Sequence, residues 1–175
     1  MLAVVNALYP LLRRTHPSQL TAFKPDGEPD QTNVTSRIVN MASLTGKLND
    51  KYSSSVTLDF RRHAMFVEDV NALMRRYLDS LTKGTLKEDG WPINSPYAVS
   101  KAGVIALTRA MDLKSGFQPH VLVNCCCPGF VKTDLTKGRG RKTPDKGAAT
   151  PVMLALDDLN GATGRFWTNG EVIGW

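Results

Sequence analysis

Tyr97 and Lys101 stand four residues apart in the segment SPYAVSKAGVIAL. Residues at that spacing share one face of a helix. A free tyrosine ionises near pH 10 and a free lysine near about 10.4. An ammonium fixed beside a phenol favours the phenolate and brings the tyrosine toward neutrality, where it can pass a proton to a reacting oxygen. The spacing alone does not decide, because a tyrosine covering a helix start beside a solvated lysine gives the same pattern.

Two further places carry candidate chemistry. Ser43 follows the apolar run Arg37-Ile38-Val39-Asn40-Met41-Ala42 and precedes the turn Leu44-Thr45-Gly46. The run His120-Val121-Leu122-Val123-Asn124-Cys125-Cys126 leads into Cys127-Pro128-Gly129-Phe130-Val131-Lys132-Thr133-Asp134. Both runs are short and apolar, which predicts strands buried on both faces. In open parallel sheets, ligands bind beyond the carboxyl ends of the strands. Ser43, the PGFVKTD exit and Tyr97 in the first turn of a helix opening at Ser95-Pro96 are therefore expected around one crevice.

The elements that position them follow from periodicity. Residues 2–14 read as a helix that starts at Met1 with no capping residue, and 15–35, with three prolines, as a loop. Residues 50–63 fit neither period. Residues 66–83 predict an amphipathic helix with Val67, Val70, Leu73, Met74, Tyr77, Leu78 and Leu81 on its apolar face and Gly84 as its stop. After a loop over 85–96 comes the Tyr97 helix, to about Lys114. A basic loop follows the second strand, then a helix over 143–156 and a short strand over 165–168. Strands alternating with helices predict an α/β fold with a parallel sheet, in one domain over 1–175.

The chain has 175 residues, 42% hydrophobic and 22% charged, which suits a globular domain and excludes a disordered chain. The net charge of +6 is spread over scattered pairs; only KGRGRK at 137–142 is dense. That segment is read as a mobile solvated loop, since no aromatic residue interleaves with it to stack on bases, so no nucleic-acid partner is expected. Cys125, Cys126 and Cys127 are contiguous, which gives neither a disulfide framework nor a tetrahedral metal site. They are expected to be buried apolar side chains in a reducing compartment. No segment is long and apolar enough to cross a bilayer, so no membrane association and a cytoplasmic location are expected. His16, His63 and His120 are read as non-catalytic. Asn40 and Asn124 are expected to bond neighbouring backbone.

SRIVNMAS, GWPINSPYAVSKAGV, LVNCCCPGFVKTDLT and KTPDKGAATPVMLAL together resemble the short-chain dehydrogenase/reductase superfamily, and within it the carbonyl reductases. The resemblance covers Ser36 to Trp175. It implies a Rossmann-like doubly wound sheet and NADPH-dependent reduction of ketones, aldehydes or quinones to alcohols. Tyr97 would then be the proton donor, and Lys101 would assist it and bond the nicotinamide ribose. Ser43 would bond the substrate oxygen. Pro128 and Gly129 would let the chain pass close to the nicotinamide ring, Val131 and Thr133 would hold its carboxamide, and Phe130 would border the substrate pocket. Residues from about 50 to 92 resemble the helical insertion of the monomeric carbonyl reductases, which implies a monomer for the full-length protein.

The family's Gly-rich phosphate turn after a first strand has no counterpart here. Gly138, Gly140 and Gly147 follow a strand exit instead. The family's catalytic asparagine has no match either, as Asn6 lies too late in its helix. The chain is therefore expected to be truncated, with the N-terminal half of the fold missing. Either it is the proton-donating part of a carbonyl reductase, or it is a non-catalytic paralogue that acts by binding.

Overall fold

Every residue of the strand Val121–Cys127 is buried, and this strand organises the fold. The computed structural model describes residues 22–23, 29–30, 36–62, 64–115 and 121–175. In chain order the strands are β1 (Ala22–Phe23), β2 (Pro29–Asp30), β3 (Ser36–Met41), β4 (Val121–Cys127), β5 (Phe166–Thr168) and β6 (Glu171–Val172). The helices are α1 (Ser54–Arg61), α2 (Val67–Lys83), α3 (Pro96–Ser115) and α4 (Pro144–Leu156), with a 3-10 turn at Leu44–Gly46. The expected opening helix over 2–14, most of the 15–35 loop, His16, His63 and His120 lie outside the described residues.

The main sheet has the order β3-β4-β5-β6. β3 runs parallel to β4, with Ser36 opposite Val121 and Met41 opposite Cys126. β4 runs parallel to β5, and β6 returns antiparallel. This is the expected α/β architecture with a mainly parallel sheet. β6 and the antiparallel β1–β2 pair were not expected: strands of two residues are too short to show a period of two.

β4 alternates between two layers, as the pleat requires. Val121 and Val123 pack with Val99, Ala102 and Ala106 of α3, while Cys125 and Cys127 pack with Ile105 of the same helix. Leu122 and Cys126 face the other way and pack with Leu154 of α4. The sheet thus lies between α3 and α4. β3 departs from the expectation of burial on both faces, for Arg37, Ile38 and Val39 are only half-buried. Among the described residues β3 pairs on one side only, and it is the outer strand of the described sheet.

α2 spans 17 residues and stops where expected: Gly84 is left-handed at φ 73°, and its amide returns to Ser80 and Leu81. Asp69 accepts a hydrogen bond from the Phe66 amide at 2.9 Å, closing the first turn. Val67, Val70, Leu73 and Tyr77 are buried, but Leu78 and Leu81 are exposed. The expected apolar face was drawn too wide; Leu78 follows Tyr77 and so points about 100° further round the axis. The stretch of residues 50–62 contains α1 (Ser54–Arg61), capped by the Ser53 hydroxyl on the Val56 amide. Phe60 of α1 is fully buried and meets Trp91 and Tyr52 edge to face at 6.2 and 6.0 Å. The segment before Tyr97 is therefore part of the same core.

Candidate functional site

The carboxyl ends of β3 and β4 open onto one cleft of about 810 Å³. Its wall contains Ser43, Tyr97, Pro128, Gly129, Phe130, Val131 and Thr133, seven of the eight expected site residues. Their convergence has a local cause. β3 and β4 are parallel neighbours, so their exits lie side by side, and α3 begins with Pro96 at the same end of the sheet.

Ser43 caps the 3-10 turn with an extended backbone. Its hydroxyl oxygen accepts from the Thr45 amide at 3.2 Å and from the Thr45 hydroxyl at 3.0 Å. A hydroxyl has two acceptor lone pairs and one proton. With both lone pairs taken, Ser43 is left as a donor, and its side chain stands in the cleft wall.

Tyr97 is 58% exposed, on the first turn of α3. Lys101, the eighth expected residue, is not in the cleft wall. Its ammonium lies 5.6 Å from the centre of the Tyr97 ring and donates to the Met41 carbonyl at 2.9 Å. The expected meeting of Tyr97 and Lys101 on one helix face is observed.

The Pro128–Thr133 segment is held by the basic loop, which is folded back rather than free in solvent. The amides of Arg141 and Lys142 both donate to the Phe130 carbonyl, and the Lys132 amide donates to Lys142. A side chain at Gly140 would run into the Val131 backbone, so this close approach requires glycine. The Lys142 ammonium reaches Asn169 Oδ1 at 2.6 Å and the Pro128 carbonyl at 3.3 Å. Gly129 is left-handed at φ 85° and sits against the Lys142 side chain. KGRGRK is thus a structural clasp on the cleft, which the count of charges could not reveal.

Sequence reasoning missed other wall residues, chiefly Met41, Thr45, Leu135 and the α4 stripe Pro144, Gly147, Ala148 and Pro151. The stripe had a signal: small residues and prolines at a spacing of three, four and seven mark a helix face that leaves room. Asn40 corrects another expectation, since its amide donates to the Thr108 hydroxyl at 3.0 Å rather than to backbone. Asn124 does bond neighbouring backbone, donating to Ala162 and accepting from the Arg165 amide, with Trp167 as a third partner. The three cysteines are free and buried, as expected. Burial pushes the Cys125 thiol up to about 12, with the Cys126 charge adding to it and a hydrogen bond with Thr108 opposing. Burial likewise pushes Cys126 up to about 11, with Cys127 adding. No group of three or more potential metal ligands exists among the described residues. No described helix is long and apolar enough to cross a membrane.

Residues 83–144, which carry Tyr97, Lys101 and the PGFVKTD exit, match the family model for short chain dehydrogenase. Mouse "Carbonyl reductase [NADPH] 1" is 35% identical over 162 residues, covering 89% of this chain and 55% of the mouse protein. The chain belongs to the short-chain dehydrogenase/reductase superfamily. "Short-chain dehydrogenase/reductase 1" from Saponaria officinalis is 33% identical over 172 residues, covering 96% of this chain and 49% of that one. Among solved structures, salutaridine reductase from Papaver somniferum superposes with a TM-score of 0.74 at 30% identity, over 94% of this chain and 49% of that chain. The chain spans about half the length of the curated relatives it matches. The sheet and its flanking helices are accordingly a Rossmann-like part of the short-chain dehydrogenase/reductase fold.

Proposed function

We propose that the cleft reduces a carbonyl compound, a ketone, aldehyde or quinone, to an alcohol, with Tyr97 as the proton donor and NADPH as the cofactor. The observation that carries this reading is that Ser43 and Tyr97 stand in the wall of one cleft together with Pro128, Gly129, Phe130, Val131 and Thr133.

The residues present fit the nicotinamide end of such a cofactor. Gly129 offers bare backbone at the cleft, and the Val131 amide has no acceptor among the described residues. Val131 and Thr133 would hold the carboxamide, and Lys101 the ribose. When bound, the cofactor supplies hydride, and the protein supplies orientation and electrostatics.

The chain's own residues do the rest. Ser43, restricted to donating by Thr45, gives its proton to a hydrogen bond with the substrate oxygen and stabilises the negative charge that builds there. Tyr97 transfers its phenolic proton to that oxygen. The Lys101 ammonium, anchored on Met41, attracts the charge left on the phenol. Phe130 and Leu135 present apolar surface to the carbon frame of the substrate. Residues 50–92 act as the helical insertion of the carbonyl reductases, and the chain works as a monomer in the cytoplasm, where free thiols such as these persist.

Purified chain is mixed with NADPH and, in turn, a ketone, an aldehyde and a quinone, and the alcohol is measured. Product from at least one class supports the reading. NADPH consumption without alcohol from any class, or no consumption, contradicts it.

A further inference from the structure

Trp175 reaches the Ser43 turn from outside the cleft. Its indole N–H donates to the Gly46 carbonyl at 2.7 Å, across 129 residues of sequence. The turn needs an external hold. It has three residues, closed by Gly46 N–H to the Ser43 carbonyl at 2.9 Å and Lys47 N–H to the Leu44 carbonyl at 3.1 Å. Leu44 and Thr45 are exposed and contribute little packing. A single 3-10 turn does not persist on its own hydrogen bonds.

Gly46 is held from two sides. On one side it lies against α3 so closely that an added Cβ would stand 2.6 Å from the Lys101 carbonyl carbon and 2.8 Å from the Ala102 nitrogen. On the other is the Trp175 indole. That ring is itself fixed, edge to face with Phe60 at 5.8 Å and under the Arg109 guanidinium at 5.5 Å. It packs against two core clusters, one containing Phe60 and Val99 and the other Ala42 and Ile105.

We propose that Trp175 is a positioning residue: it presses Gly46 onto α3 and so fixes the Ser43 hydroxyl relative to Tyr97. Its catalytic consequence rests on the reading of Ser43 as the residue that binds the carbonyl oxygen; the clamp itself does not.

The test is Trp175→Phe in the full chain, which keeps a ring against Phe60 and removes the donor. Amide hydrogen exchange is read residue by residue, with Arg109→Gln as the control that leaves the N–H in place. Exchange at Gly46 and Lys47 is expected to speed up at least tenfold in Trp175→Phe, with α2 amides such as Leu73 unchanged, and to move less than twofold in Arg109→Gln. In the carbonyl assay, kcat is expected to fall about tenfold with KM within threefold, because the oxygen is misaligned rather than the substrate lost. Unchanged exchange at Gly46 and Lys47 overturns the clamp. Equal acceleration throughout the chain, or failure to fold, shows a general structural role and also overturns it. Faster exchange with an unchanged kcat overturns the positioning role. A wild-type chain without reductase activity defeats the functional reading, while the exchange rates still decide the clamp.

Discussion

Lys101 holds Met41: the ammonium on α3 donates to the carbonyl at the end of β3 across 2.9 Å. This bond ties the helix that carries Tyr97 to the strand that delivers Ser43. It also parks the ammonium against the Tyr97 ring. One side chain therefore sets both the spacing of the two candidate groups and the charge beside one of them.

Lys101→Met should loosen both. Losing a partly exposed charge-assisted hydrogen bond costs about 1 kcal/mol, read as a lower urea midpoint. Carbonyl reduction should fall by about a hundredfold or more, well beyond what that stability loss explains. Retained activity would separate Lys101 from the chemistry.

Thr45 makes Ser43 a donor by filling both of its lone pairs. Thr45→Val removes the hydroxyl contact and leaves the Ser43 proton free to turn away from the cleft. The expected result is a fall of about tenfold in kcat/KM, with Thr45→Ser restoring most of it. Equal activity of the Val and Ser variants would count against this hydrogen-bond arrangement.

Alkaline pH should destabilise the fold through buried groups. The Cys125 and Cys126 thiols, ordinarily near 9.0, are pushed up to about 12 and about 11. Above the ordinary value the unfolded chain has released protons that the folded chain keeps. Their stabilisation is thus complete below about pH 9 and is lost as pH rises toward 11–12. Tyr52, raised by burial and by Tyr77 to about 12, adds to the loss above its ordinary 10.0. Urea midpoints measured from about pH 8 to about pH 10.5 should fall, and Cys125→Ala with Cys126→Ala should flatten the slope. An unchanged slope would contradict the assignment.

The sequence made the frame of this site legible because its signals were local. The run of apolar residues at Val121–Cys127 announces a strand buried on both faces, and Pro128-Gly129 announces its exit. Tyr97 and Lys101 announce a shared helix face by spacing alone. What escaped depended on contacts distant in sequence. The clasp of Lys142 on Asn169 and Pro128, and the hold of Trp175 on Gly46, join residues that no window of the sequence brings together. The half-burial of β3 escaped for a related reason, since an apolar run specifies a strand but not how many neighbours it has.

The most direct test of the central claim compares the purified chain with its Tyr97→Phe variant for carbonyl-dependent NADPH oxidation. Tyr97 is 58% exposed, so the variant should keep its stability within about 0.5 kcal/mol. The account predicts alcohol formation by the unchanged chain and a loss of at least about a hundredfold in the variant. Equal rates in the two, or no reduction by the unchanged chain, would contradict it.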